Sequence, residues 1–156
     1  MGFKSESMIG APRTAVWDTI EASWYEASGN QLQRGSSLET QVEIPDLLPD
    51  VLRRKLGENL IATIQITELG VRRAIGARII TAADSFPYFD LQLQLDDNND
   101  ATHAILSGNM DTRGSLRRKA TSTLITPVLG RLAAHGMEAF ATHVTHAQQT
   151  LLPEAS

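Results

Sequence analysis

Apolar side chains recur at every second position along much of the chain, which is the spacing of strands that bury one face. The clearest alternation runs from Phe89 to Asp96, where Phe and Leu alternate with Asp and Gln. A turn rich in Asn and Asp at 97–100 and a second alternating segment at 102–112 predict a hairpin. The same alternation predicts further strands over 3–9, 38–44, 60–66 and 72–81.

Three segments follow other spacings. Ala11-Pro12-Arg13 opens a helix, since proline is tolerated in a first turn, and Trp24-Tyr25 is expected to continue as a second short helix or turn that ends at Gly29. The stretch 46–57 has acids at its start, bases near its end and a closing glycine, which favours a short helix. The last third predicts a helix over 126–150, about 37 Å long at 1.5 Å per residue.

The order of these elements predicts the architecture. A sheet with one apolar face needs a cover, and the C-terminal helix carries the one large apolar stripe available. We therefore expect a single α+β domain over residues 1–156, in which a curved antiparallel sheet wraps around a long C-terminal helix.

Particular residues also carry a family resemblance. The stretch 9–18, Ile-Gly-Ala-Pro-Arg-Thr-Ala-Val-Trp-Asp, the run of alternating strands, and the stretch 127–137 resemble the START-like (SRPBCC) superfamily. The likeness is to its branches of polyketide cyclases and of carbon-monoxide-dehydrogenase accessory proteins. It implies a helix-grip fold with a cavity between sheet and helix. The chain departs from the family in segment 46–57, which is longer and more helical, and in the pocket acids and arginines of catalytic members, which are not identifiable here.

Composition narrows the classes of function. The chain has no cysteine, which excludes disulfides and cysteine-ligated metals. Its formal charge of −4, from 18 acids and 14 bases, makes nucleic acid a poor partner. The sequence contains neither a signal peptide nor an apolar run long enough to cross a membrane, so a cytoplasmic location is expected. No cofactor is expected.

Candidate ligand-binding residues lie on the predicted inward faces of strands and of the last helix: Ser5, Ser7, Leu106, Met110, Leu132, Gly136, Met137 and Phe140. Two inward hydroxyls need partners or water, so Ser5 and Ser7 indicate a wet cavity, unless an edge strand turns them outward. A glycine inside a helix costs stability, so Gly136 indicates close approach by a strand or a ligand.

Other chemical features have simpler explanations. His143 and His146 are three residues apart, yet no metalloprotease motif is present, and with His135 they predict a solvated helix face. Alternation predicts that Asp90 and His103 point outward. The basic run 113–119 is either a solvated connection or a contact for an anionic surface. The apolar residues of 46–57 form either a lid over the cavity or packing against the edge of the sheet. No catalytic or metal-binding residue is predicted.

Three functions remain open from the sequence. The first is non-catalytic binding of a small hydrophobic ligand of the lipid, polyketide or quinone type. The second is an aromatase/cyclase-type enzyme, which an inward acid, arginine or histidine would favour. The third is an accessory protein that docks a partner or membrane, with its cavity filled by side chains.

Overall fold

The computed structural model describes residues 2–43, 50, 54, 59–70, 72–81, 88–110, 130–131 and 133–146. The elements are β1 (Gly2–Ile9), α1 (Arg13–Ser28), β2 (Ser37–Glu43), β3 (Asn59–Gly70), β4 (Ala74–Thr81), β5 (Phe89–Asn98) and β6 (Ala101–Met110). Residues 130–131 and 133–146 are helical and constitute the C-terminal helix. The strand predictions agree with the observed strands to within a few residues.

The strands form one antiparallel sheet in the order β1-β6-β5-β4-β3-β2. Consecutive strands from β2 to β6 are neighbours, whereas β1 pairs with the last strand. The predicted hairpin is present, and Asn99 in its turn has φ 57, the left-handed conformation that asparagine tolerates. A register shift between Ile66 and Glu68 places a bulge in β3, and a bulge bends its strand. The sheet is curved and carries a helix, as the α+β helix-grip prediction requires.

Helix α1 is longer than its pattern suggested. It continues without interruption to Ser28, so the predicted break at Trp24-Tyr25 is wrong. No glycine or proline occurs inside it to stop it. It ends where Gly29 takes φ 74 and donates its backbone N–H to the Tyr25 carbonyl at 2.8 Å. Glycine adopts this left-handed conformation without a steric penalty, which fixes the helix end.

The C-terminal helix touches both ends of β1. At its start, a Cβ on Gly130 would stand 3.5 Å from Cβ of Phe3. Near its end, Thr145 Oγ1 accepts the backbone N–H of Gly10 at 3.3 Å. The helix rises about 22 Å between these contacts, and β1 rises about 23 Å. The helix therefore runs alongside β1 over its whole length. Its predicted start near Thr126 lies outside the described residues.

The densest core lies where β1 ends and α1 begins. Ile9, Val16, Leu95 and Ala104 are completely or almost completely buried there, and Val144 of the C-terminal helix joins them. One buried polar side chain stabilises the junction, since the Thr102 hydroxyl donates to the Ala11 carbonyl at 2.8 Å. This bond ties Ala11, two residues before α1, to β6.

Parts of two sequence predictions fall outside the described residues. In segment 46–57 only Asp50 and Arg54 are described, both helical and exposed, so the lid remains a prediction. The basic run 113–119 is not described at all. Among the described residues, no helix has the length and apolar character that crossing a membrane requires.

Replacing Thr102 by valine removes a hydroxyl but keeps the shape of the side chain. We expect Thr102→Val to lower the free energy of unfolding by about 1–3 kcal/mol, because the buried Ala11 carbonyl loses its donor. Thr142→Val is the matched control: its hydroxyl donates to the Glu138 carbonyl at 2.9 Å on an exposed helix face, and we expect a change within about 0.5 kcal/mol. Urea unfolding measures both, and equal effects would contradict the role given to Thr102.

Candidate ligand-binding site

The register of the sheet places the inner-face side chains in rows that cross several strands. One row contains Ser5, Leu106, Leu93 and Ile75. The next row contains Phe3, Gly108, Leu91 and Ala77. Adjacent rows are two residues apart, or about 7 Å along a strand. These two rows lie midway between the ends of the central strands.

Burial differs sharply between the middle and the ends of this face. Toward α1, Ala104 and Leu95 are fully buried. Toward the other end, Met110 is 4% exposed and Phe89 9%. In the two rows between them, Ile75 and Ala77 of β4 are buried as well, whereas Leu91, Leu93 and Leu106 of β5 and β6 are only half-buried. We call these three leucines and the side chains of Phe3 and Ser5 of β1 the inner patch.

The inner patch therefore retains accessible surface between two closed ends. A well-packed interior buries its central leucines at least as deeply as its peripheral ones. Here Leu93 and Leu106, which face each other across β5 and β6, are less buried than Leu95 and Ala104 on one side of them and than Phe89 and Met110 on the other. The arrangement suits a concave apolar binding surface.

The two serines of β1 face inward. Ser5 is 9% exposed and Ser7 is half-buried, while Lys4, Glu6 and Met8 between and beside them are exposed. The alternative that this edge strand turns the serines outward is wrong. The reason is that the C-terminal helix lies alongside the edge strand and buries one of its faces.

Neither serine hydroxyl has a partner among the residues that the structure describes. Within that part of the chain, no hydrogen bond joins the Ser5 or Ser7 side chain to another residue. Thr81 Oγ1 is buried away from solvent and has no hydrogen-bond partner in the described structure, whereas Ser5 Oγ is not sealed in this way. Ser5 Oγ thus keeps surface that a water molecule or a ligand atom can reach. It is a free hydroxyl in the first row of the inner patch.

The predicted helix residues are distributed unevenly. Met137 is 5% exposed and Phe140 is half-buried against the core, so both lie on the covered side. Gly136 is exposed, and no atom of the described structure lies within 4 Å of where its Cβ would stand, so the predicted close approach at Gly136 is wrong. The buried stripe passes through 137, 140, 141 and 144, and one residue of offset rotates Gly136 away from it. Leu132 lies outside the described residues.

Three members of the inner patch were not predicted as ligand contacts. Alternation assigned Leu91 and Leu93 to the inner face, but only the register shows that they adjoin Leu106. Phe3 shares the inward face of β1 with Ser5, and only the register shows that it pairs with Gly108. Met110, which was predicted as a contact, is buried at the closed end of β6.

Charged groups lie on the opposite face of the sheet. Asp90 and His103 point outward as predicted: Arg78 Nε donates to Asp90 Oδ1 at 2.9 Å, and His103 Nε2 lies 3.7 Å from Glu6 Oε2. The Arg78 guanidinium also stacks over the Tyr88 ring at 4.5 Å.

The histidines of the C-terminal helix lie on its exposed side. His135, His143 and His146 are all exposed, as the prediction of a solvated face requires. Within the described ranges, no three His, Asp or Glu side chains converge as a metal site could.

Comparison with solved structures identifies the fold. The Zhui aromatase/cyclase from Streptomyces sp. R1128 superimposes with a TM-score of 0.63 at 14% identity, over 92% of this chain and 93% of that one. A START superfamily protein from Mycobacterium smegmatis gives 0.55 at 12% identity, over 96% and 98%.

A third similar structure is larger than this chain. DynU16, a protein from the dynemicin biosynthetic locus, gives a TM-score of 0.57 at 13% identity over 96% of this chain. The match covers 47% of DynU16, so this chain spans about half its length. No family model and no curated protein matches the sequence. At these identities the likeness concerns architecture, and the chain has the helix-grip fold of the START-like superfamily.

Proposed function

We propose that residues 1–156 form a binding domain for a small apolar ligand with at least one hydrogen-bonding oxygen. The ligand lies between the inner patch and the C-terminal helix. The observation that carries the proposal is the incomplete burial of Leu93 and Leu106 in the middle of a covered face whose ends are closed. Similar structures with the same fold include an aromatase/cyclase, a class of enzyme that acts on a small molecule, and a START superfamily protein.

The apolar part of the ligand supplies the driving force. Covering apolar surface contributes about 25 cal/mol per Å², and fully burying a leucine about 1.5–3 kcal/mol. Leu91, Leu93 and Leu106 adjoin one another, so a single compact molecule can cover all three. Met137 and Phe140 of the C-terminal helix are the predicted contacts on its other side.

The polar part of the ligand is oriented by β1. Ser5 Oγ can donate to a carbonyl or carboxylate oxygen of the ligand, and Ser7 offers a second hydroxyl two residues along the same face. A ligand that satisfies the Ser5 hydroxyl gains a hydrogen bond that the free protein lacks. Its orientation is then fixed, with the oxygen toward β1 and the apolar part toward β5.

Binding suits this face better than proton transfer. Asp97 continues the inner alternation of β5, but it is exposed, and its Oδ2 lies 3.3 Å from Arg13 Nη1, beyond the buried Leu95. From Phe89 to Leu95 of β5 and from Thr102 to Met110 of β6, the described inner-face residues are aliphatic, aromatic, methionine, threonine or glycine. Such groups enclose and orient a molecule. The outward positions of Asp90 and His103 place those titratable groups on the other side of the sheet, which is why we propose a binding function rather than the aromatase/cyclase alternative.

Substitution of one inner-patch leucine tests the site. We expect Leu106→Gln to weaken binding of the fluorescent probe 1-anilinonaphthalene-8-sulfonate about tenfold, which corresponds to about 1.4 kcal/mol. Ile105→Gln is the matched control, because Ile105 is the adjacent, half-buried residue on the outer face of the same strand. This variant should bind the probe as tightly as the unmodified protein does. Fluorescence titration gives both dissociation constants, and circular dichroism checks that both variants fold.

A second substitution protects this test against misfolding. Leu106→Met keeps the volume and apolar character of the side chain, so we expect folding and probe affinity close to those of the unmodified protein. Equal weakening by Leu106→Gln and Ile105→Gln, or no binding of the probe to the unmodified protein, would overturn the proposed site.

The free hydroxyl of Ser5 gives a separate prediction. We expect Ser5→Ala to leave the free energy of unfolding within about 0.5 kcal/mol of the unmodified value or to raise it, because no hydrogen bond in the protein is lost. The same substitution should weaken binding of n-decanoate, whose carboxylate can accept from Ser5. Ser107→Ala on the outer face of β6 is the control for both measurements. A large loss of stability in Ser5→Ala would show that the hydroxyl has a partner in the protein.

A further inference from the structure

The Phe3 ring of the inner patch fills the space that a side chain at Gly108 would otherwise occupy. Phe3 and Gly108 face each other across β1 and β6. The edge of the Phe3 ring, at Cε1 and Cζ, lies where a Cβ on Gly108 would stand. Glycine at 108 is therefore required by the position of this ring.

The position of Phe3 is at one limit of the inner patch. Beyond its row, the inner face is closed by Met110 and Phe89, which are 4% and 9% exposed. On the side of the C-terminal helix, Phe3 Cβ adjoins Gly130, another residue without a side chain. Phe3 thus has its ring edge against Gly108 and its Cβ near Gly130, at the border between the half-buried leucines and the buried end of the sheet.

We propose that the Phe3 ring is the floor of the ligand site and sets the length of ligand that it admits. This inference rests on the proposed function. The Ser5 hydroxyl lies one row, about 7 Å, from Phe3 on the same strand face, so an oxygen held at Ser5 leaves the apolar part of the ligand only a short distance along β1 before it meets the ring. The apolar part of the ligand can also extend across the strands toward Leu93. In that direction the buried Ile75 and Ala77 of β4 mark the limit of the accessible surface.

The two glycines explain why the ring controls length. If Phe3 is reduced to alanine, neither Gly108 nor Gly130 has a side chain that could fill the vacated volume. Large-to-small substitutions leave a cavity when the surroundings cannot collapse into it. The space therefore becomes continuous with the inner patch and extends the site toward Met110.

The experiment measures affinity against ligand length. Saturated n-alkanoates from hexanoate to hexadecanoate displace 1-anilinonaphthalene-8-sulfonate from the unmodified protein, from Phe3→Ala and from Phe3→Leu. Each buried methylene adds about 0.8 kcal/mol, or about fourfold in affinity. We expect this gain to stop at a definite chain length in the unmodified protein. In Phe3→Ala it should continue for several further methylenes, and Phe3→Leu should lie between.

Gly108→Ala supplies an independent test that includes a readout without ligand. Its Cβ would displace the Phe3 ring, so alone it should lower the free energy of unfolding and shorten the admitted chain. In the Phe3→Ala background the ring is gone, and Gly108→Ala should change neither quantity. Such non-additivity is the signature of two residues in direct contact. Gly35→Ala, on a surface turn with nothing within 4 Å of its Cβ position, is a control whose effect should add to that of Phe3→Ala.

The outcomes separate this inference from the proposed function. Length profiles that coincide for the unmodified protein and Phe3→Ala, with binding retained, would overturn the floor and leave the binding site in place. Failure of the unmodified protein to bind any alkanoate or the probe would remove the proposed function and the floor together. Additive effects of Gly108→Ala and Phe3→Ala would overturn the contact on which the floor depends.

Discussion

The position of the C-terminal helix against β1 is the constraint on which the rest of the molecule depends. The helix is held at Phe3 near one end of the strand and at Gly10 just beyond the other. Strand and helix rise by nearly equal amounts between these contacts, so the helix runs along β1, and its buried Met137 and Val144 share one core cluster with residues of β3 and β4. Leu93 and Leu106 in the middle of β5 and β6 pack against this cluster but stay half-buried, and the proposed ligand site rests on that observation.

The most deeply buried core lies at one end of the inner face, whereas the proposed ligand site lies in its middle. The buried junction of β1, α1 and β6 contains Ile9, Val16, Leu95 and Ala104, and the Thr102 hydroxyl is satisfied there by the Ala11 carbonyl. The Ser5 hydroxyl, almost as deeply placed, has no partner in the described structure. Two buried hydroxyls thus have opposite roles. The Thr102 hydroxyl contributes to the fold, and the Ser5 hydroxyl, which solvent can reach, is available to a ligand oxygen.

Periodicity was sufficient for the strands, for which residues face inward, and for the outward positions of Asp90 and His103. Prediction from periodicity fails where the same residues fit more than one structure. The sequence predicts that the helix is interrupted at Trp24-Tyr25, but α1 continues to Ser28, because no glycine or proline interrupts it before Gly29. Gly136 was assigned close packing because glycine is costly inside a helix, but a one-residue offset from the buried stripe leaves it exposed. A glycine permits close approach, and only its neighbours in space decide whether the approach occurs.

The sequence by itself determined the order of elements, the apolar face of each strand and the helix-grip architecture, because these depend on local spacing and on the need of an apolar face for a cover. Only the tertiary structure decided which inward residues meet. Ser5 adjoins Leu106, and Phe3 lies over Gly108, because of a pairing between strands about a hundred residues apart in the chain. Alternation is a property of one strand, whereas register, and with it the site, is a property of two.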